Sequence, residues 1–322
     1  MAAIGKLRIS PADIGRRVSV RHFDGKNLTD VLGILVSWSG DWPTGQLRVR
    51  KKDESIQEII SGNIFAAKVI EPEIGCLDLE RDSETTWVAS EKEYLGDWAL
   101  RYSGNKSARA NSCLLDGRPI DEIDESFKKI IEWYRQRKAV AIIQTPKPGA
   151  FDNALQKNNF VEIDVAYYMI GPASLSEENS VIIEKDLNPQ WLETILDRDK
   201  NARQRISEEL LKSGDFVRFA SIKNEPGEII ATGRISATKN QAMVTTVWVN
   251  ENNRKQGLGK KIMHALSNEV AKIGQKSIVL QVLKSNEAAV KMYESLGYKI
   301  HHEYAYYRHF KNLASNDEEC HC

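Results

Sequence analysis

The sequence predicts a mixed α/β (α+β) protein in which a small β-rich unit of SH3-like barrel type precedes two copies of an α/β unit. Three observations carry this. The first seventy residues offer closely spaced short strands separated by turn chemistry; the order helix, strand, helix, strand occurs twice beyond them; and in the second occurrence a turn with two glycines runs from an apolar strand into an amphipathic helix. A chain of 322 residues has room for two or three domains.

The β-rich unit spans residues 1–72, with strands expected at Arg17 to Phe23, Thr29 to Ser39, Gln46 to Lys52 and Ile56 to Ile70. Asp24-Gly25-Lys26-Asn27, Ser39-Gly40-Asp41 and Lys52-Asp53-Glu54 supply the turns. Val18, Val20, Val31, Leu32, Ile34, Val36, Leu47, Val49, Ile59 and Ile60 are the core candidates. Glu71 to Thr86, with Pro72, Gly75 and a run of charges, reads as a linker. The middle unit, 87–170, is marked by a helix from Asp121 to Arg137, where Phe127, Ile130, Ile131 and Tyr134 recur at helical spacing. A strand at Ala139 to Gln144, a short helix near Ala150 to Lys157 and an alternating strand through Val161, Ile163, Val165, Tyr167 and Met169 follow.

The C-terminal unit occupies 180–311, beyond the polar connector Gly171 to Asn179. It opens with a strand at Val181 to Glu184 and helices near Pro189 to Arg198 and Ala202 to Lys212. Strands at Phe216 to Lys223, Ile229 to Thr238 and Ala242 to Val249 lead to the repeat of the middle unit's element order, which reads as an internal duplication. Residues 312–322 read as a disordered tail.

Forty-five basic residues balance forty-five acidic ones, so no global field gathers nucleic acid or anionic lipid. No apolar run has the length of a membrane span and the opening residues lack a secretory core, which makes the expected compartment the cytoplasm. Cys76, Cys113, Cys320 and Cys322 are scattered or terminal and suggest no disulfide framework. Cys320-His321-Cys322 offers soft ligands without the second half of a zinc site, so no metal is expected.

Chemistry concentrates after Val247-Trp248-Val249. Arg254-Lys255-Gln256-Gly257-Leu258-Gly259-Lys260-Lys261 opens a helix whose apolar face is Leu258, Ile262, Leu266, Val270 and Ile273 and whose stop is Gly274. A strand, a glycine turn and a helix N-terminus make a phosphate site: amides point outward unpaired, glycine lets the backbone approach, and the dipole favours negative charge. The apolar strand Ser277 to Leu283 completes the crossover. Ser285-Asn286 caps a second helix, in which Asn286, Ala289, Tyr293 and Leu296 share a face before Gly297-Tyr298.

The run from Val247 to Tyr298 resembles the GNAT (GCN5-related N-acetyltransferase) family. Arg254-x-x-Gly257-x-Gly259 matches its (Gln/Arg)-x-x-Gly-x-(Gly/Ala) signature, and Asn286-x-x-Ala289-x-x-x-Tyr293-x-x-x-Gly297-Tyr298 matches its second half. The resemblance implies acetyl-CoA as co-substrate, held where the strand ending at Val249 diverges from that at Ser277 to Leu283. Backbone groups of Val247 and Val249 would meet the pantetheine and the thioester carbonyl. Amides from Lys255 through Gln256, Gly257, Leu258 and Gly259 to Lys260, with Arg254 alongside, would cradle the pyrophosphate. Asn286 would bond to the pantetheine arm, and Tyr293 would stand near the sulfur as catalytic acid. A phenol protonated at neutral pH suits a leaving thiolate. For the base the sequence leaves Glu251, His301, His302, Glu303 and a water chain open, and for substrate carboxylate binding it offers Arg234 and Arg308.

The middle unit, with Leu95-Gly96-Asp97-Trp98 and Arg109-Ala110-Asn111-Ser112, is similar to the degenerate first half of actinobacterial tandem-GNAT proteins. Its equivalent turn, Leu115-Asp116-Gly117-Arg118-Pro119, has one glycine and a proline that removes an amide, so it is not expected to bind acetyl-CoA in the usual way. The resemblance implies an acetyl-CoA-dependent N-acetyltransferase whose primary-amine acceptor is a small amino acid or a protein amine. N-acetylglutamate synthesis in arginine biosynthesis is an alternative, as is a noncatalytic acyl-CoA-binding scaffold. The expected partners are acetyl-CoA and the acceptor, with nucleic acid disfavoured, no membrane, and a homodimer left open.

Overall fold

In the computed structural model of the chain, residues 7–14, 17–51, 55–69, 75–104, 107–147, 151–178, 180–197 and 206–310 are described. They form two units, divided after Ile74. The tail with its Cys-His-Cys triplet and the Lys52-Asp53-Glu54 turn lie outside the described residues.

The first unit is a sheet of β1 (Leu7–Arg8), β2 (Arg17–Asp24), β3 (Asn27–Ser39), β4 (Gln46–Arg50), β5 (Ile56–Ile60) and β6 (Ile64–Val69). Its order is β1-β6-β2-β3-β4-β5. Alternation sends Val18, Val20, Val31, Leu35, Leu47 and Val49 inward. That parity corrects four of the expected core residues. Once Val31 and Leu35 of β3 point inward, Leu32 points out at 51% exposure, Ile34 and Val36 share its face outside the core, and Ile60 is likewise 52% exposed. No pairing of β1 with β5 closes the sheet among the described residues, so the closed barrel that the sequence predicts is not shown there.

The second unit opens with α1 (Cys76–Ser83), inside the stretch expected to be a linker. Pro72 and Gly75 punctuate the sequence there, but Leu79 and Glu80 are almost fully buried, so tertiary packing holds this helix. The unit continues with β7 (Glu91–Leu95), β8 (Trp98–Tyr102), β9 (Cys113–Leu114), α2 (Ile123–Gln136), β10 (Ile142–Lys147), α3 (Asp152–Lys157) and β11 (Phe160–Pro172). Next come β12 (Ile182–Glu184), α4 (Pro189–Asp197), α5 (Glu208–Lys212), β13 (Phe216–Lys223), β14 (Ile229–Ala237) and β15 (Ala242–Val249). The chain then forms α6 (Leu258–Lys272), β16 (Ser277–Leu283), α7 (Glu287–Ser295) and β17 (Lys299–His309).

All its strands join one sheet of eleven, in the order β12-β13-β14-β15-β16-β11-β17-β10-β9-β8-β7. Apart from β12 at one edge, the order around the central pair β11 and β17 is symmetric. β9 runs parallel to β10 as β15 does to β16. The last strands are exchanged between the halves: β11 pairs with β16 of the second half, and β17 pairs with β10 of the first. β11 and β17 also pair with each other. One core gathers Trp98, Phe127, Ile130, Tyr134, Ile143 and Phe160 around α2; the other gathers Val244, Ile262, Leu266, Val270 and Leu280 around α6.

The approach of α6 to β14 depends on Gly233, where an added Cβ would lie 2.4 Å from Cγ2 of Ile262 and 3.0 Å from Cδ1 of Leu266. Gly233→Ala is therefore expected to overpack this contact and cost about 1–3 kcal/mol of stability. Urea unfolding monitored by tryptophan fluorescence checks this, and an unchanged midpoint would mean that the helix can retreat freely. No helix among the described residues is long and apolar enough to cross a membrane.

Candidate functional site

β15 and β16 pair only at Met243↔Val279 and Val244↔Leu280. Beyond these positions β15 leaves the ladder through a bulge, in which its register against β14 shifts between Thr232 and Arg234. Thr246 takes φ +52° there, a left-handed conformation that a β-branched residue adopts at a cost. The bulge takes Thr246 and Val247 out of the β14 ladder, and the Thr246 carbonyl accepts instead from Oγ1 of Thr232 at 3.3 Å.

The opening leads into a cavity of about 1080 Å³ with walls from both halves of the unit. The second half supplies Val247, Gln281, Asn286, Tyr293, Tyr304 and Tyr306 to those walls, and Arg308 beside them; the first supplies Trp87, Arg109, Asn111 and Asp164. Alternation along β17 sends Tyr304 and Tyr306 to this side and His301 and Glu303 to the other.

Gly257 precedes α6 with φ +77°, and an added Cβ there would meet nothing within 4 Å. Lys255 also takes a positive φ, of 63°. The amides from Lys255 to Lys260 donate to no protein acceptor among the described residues; the first closing bond is from the Lys261 amide to the Gly257 carbonyl, at 3.1 Å. Gly259 is buried against Met292, whose Sδ would lie 2.7 Å from an added Cβ. Leu258 packs against the core below the turn. Gln256 and Lys260 are exposed, and Arg254 pairs with Glu251 at 3.4 Å. Val249 does not line the cavity; its carbonyl accepts from Nε of Arg254 at 3.4 Å.

Asn286 caps α7 by accepting from the Ala289 amide at 3.2 Å, which leaves its Nδ2 to donate. About two turns further, the Tyr293 hydroxyl has no hydrogen-bond partner among the described residues although the side chain is buried. Burial pushes its pKa up to about 12.

The sequence-based candidates for a base are not brought to the cavity. Glu303 pairs with Lys284 at 2.8 Å, and Glu251 is held by Arg254. Nδ1 of His301 lies 2.9 Å from that of His302, and Nε2 of His302 lies 3.1 Å from buried Glu80. Asp164 is the carboxylate on the cavity wall.

Arg234 is corrected from substrate contact to scaffold. Its side chain is wholly buried, donating to the carbonyls of Leu211 and Ser213, both at 2.6 Å, and to Thr86 at 3.3 Å. Burial, and the charge of Arg109 after it, push its pKa down to about 9. Sequence reasoning passed over Gln281 as well. Its Nε2 donates at 2.9 Å to Glu80, which also accepts from Gln144 at 2.6 Å. The two glutamines face Tyr168 and Tyr306 at equivalent places in the two halves, and α1 supplies the one buried carboxylate on which they converge.

The turn of the first half equivalent to Gly257–Gly259 is closed by the protein itself. The Arg118 amide donates to Asp97 at 2.9 Å, the Asp97 amide returns a bond to the Arg118 carbonyl, and Oδ2 of Asp97 lies where a Cβ on Gly117 would go. A carboxylate fixed there repels a phosphate and consumes the donor that would hold it.

A family model described as "Probable histone acetyltransferase Rv0428c C-terminal" matches residues 76–307. Among curated proteins, the chain is 22% identical over 244 residues to the "Uncharacterized N-acetyltransferase YobR" of Bacillus subtilis (strain 168), covering 71% of this chain and 96% of that protein. It is 29% identical over 93 residues to the "[Ribosomal protein bS18]-alanine N-acetyltransferase" of Escherichia coli (strain K12), covering 29% of this chain and 63% of that enzyme. A solved structure of a GCN5-related N-acetyltransferase from Kribbella flavida shares the fold, with a TM-score of 0.58 at 14% identity, covering 75% of this chain and 99% of that one.

Proposed function

The chain belongs to the family described as "Probable histone acetyltransferase Rv0428c C-terminal" and is an acyltransferase of GNAT type; from that premise we propose that it moves an acetyl group from acetyl-CoA to a primary amine of a small amino acid or a protein. The observation that carries this reading is the run of amides at Lys255–Lys260 that donate to no protein acceptor among the described residues, open above Gly257, in the same half whose Asn286 and unpartnered Tyr293 line the cavity. These residues fit acetyl-CoA. The turn would receive the pyrophosphate, with Lys255 and Lys260 adding charge; main-chain groups of Val247 at the bulge would meet the pantetheine and the thioester carbonyl; and Nδ2 of Asn286 would donate to the arm.

The co-substrate supplies an activated acyl carbon and a thiolate leaving group. Tyr293 is the acid: as the amine nitrogen bonds to the acyl carbon and the C–S bond breaks, its hydroxyl proton passes to sulfur, and the proton lost by nitrogen restores the phenol through solvent. Asp164, a carboxylate on the cavity wall, is the candidate to relay that proton. The first half, its own turn filled by Asp97, contributes the acceptor side of the cavity.

The test is a panel of amino acids, polyamines and peptides assayed for release of free CoA thiol, beside calorimetric titration with acetyl-CoA. Saturable binding with turnover of one acceptor class is expected. Binding without turnover across the panel would favour a noncatalytic acyl-CoA binder, and absence of binding would end both readings.

A further inference from the structure

Resting on the transferase reading, we infer that the acceptor is an amine that also carries a carboxylate, and that Arg109 is the residue that reads it. Arg109 belongs to a short 3-10 turn, Ala108–Ala110, of the half whose own nucleotide turn is closed, and it reaches the shared cavity. Its Nε is buried with no hydrogen-bond partner among the described residues. The contacts that hold the guanidinium are weak: Nη1 lies 3.9 Å from Sδ of Met243, and the group stands 5.7 Å from the centroid of the Trp87 ring. No carboxylate among the described residues forms an ion pair with it. Arg234, 5.3 Å from the same ring, is the contrast, because its donors are consumed by main-chain carbonyls.

A buried donor on a charged group that is left unmatched is costly, and the cost is recovered when a ligand supplies the acceptor. A planar fork set beside aromatic rings matches a carboxylate, which takes two parallel N–H bonds, better than a compact dianion that needs several cations. Met243 pairs in the last stretch before β15 and β16 separate, so Arg109 stands at the root of the crevice and away from the Lys255–Lys260 turn that suits the pyrophosphate. The wall also carries the complementary orphan. Nε2 of Gln281 is tied to Glu80, which turns its Oε1 away, buried and without a donor. An unmatched donor and an unmatched acceptor in one cavity are the counterpart of a molecule bearing a carboxylate and an N–H group.

The experiment compares the full chain with Arg109→Gln and Arg109→Lys on matched pairs, the α- and ω-amino acids against their carboxamides. Two readouts are taken: turnover, and calorimetric binding of the N-acetylated forms of the same pairs in the presence of CoA. For the wild type, the carboxylate member is expected to be preferred by about a hundredfold, as the neutral carboxamide gives the guanidinium an acceptor but no opposite charge. Arg109→Gln reduces that preference to near unity, Arg109→Lys retains part of it, and acetyl-CoA affinity is unchanged in both. Equal binding of carboxylates and carboxamides by the wild type, or a preference that survives Arg109→Gln, overturns the assignment. Selective carboxylate binding without acetyl transfer would uphold Arg109 and end the transferase reading, so the two failures are told apart.

Discussion

Tyr293→Phe lowers kcat by about 10²- to 10⁴-fold, the range that a positioned general acid contributes, and leaves calorimetric acetyl-CoA affinity unchanged. The variant removes one oxygen from a ring that is packed in the core beside Tyr298, 5.8 Å between centroids, so the fold has little to lose. The hydroxyl has no protein partner to leave behind. Its pKa, raised to about 12 by burial, fixes the sign of the pH dependence. The group donates only while protonated, so it holds its proton through neutral pH, and the limb it imposes is a fall in rate as pH approaches 12. That limb is absent from the phenylalanine variant. Unchanged turnover at neutral pH would remove Tyr293 from the acid's role and leave the sulfur's proton to solvent.

Gly257→Pro abolishes measurable acetyl-CoA binding, with affinity lowered by at least about a hundredfold if two charge-assisted bonds to the phosphate are lost. The residue sits at φ +77°, whereas proline is confined near −65°, so the turn must rearrange; the substitution also deletes one of the amides facing outward. Gly257→Ala separates the two causes. Its methyl group meets nothing within 4 Å, so it pays only for the left-handed backbone and is expected to weaken binding far less. Circular dichroism of both variants reports whether the fold stands. A proline variant that folds and still binds acetyl-CoA would place the pyrophosphate elsewhere.

The parts of this site that were legible in the sequence are those made by short stretches of chain. The helix expected from Leu258 to the stop at Gly274 is found at Leu258–Lys272, and the strand from Ser277 to Leu283 has its expected bounds, because periodicity, a glycine stop and an apolar run are local properties. Asn286 and Tyr293 share a face of α7 for the same reason and reach the same cavity. What sequence could not settle depends on distant partners. Arg234 resembled a ligand contact because nothing in Thr232-Gly233-Arg234 shows that the carbonyls of Leu211 and Ser213 surround it. Arg109 went unassigned because it lies in the half whose turn chemistry looked inert. The β7–β8 hairpin had a signal that was not used: Gly96-Asp97 between two short apolar-ended runs is a two-residue turn, and Gly96 takes φ +67° there.

The exchange of β11 and β17 sets a timetable for synthesis. When the ribosome has finished Pro172, β11 has no partner strand yet made, since β16 and β17 follow it by more than a hundred residues. The first half must therefore wait with an open, hydrogen-bond-hungry edge until the chain is almost complete, and contacts of such sequence separation are slow to form. Removing the first half would leave β17 without β10 and β11, the strands it pairs with, and β17 carries Tyr304 and Tyr306.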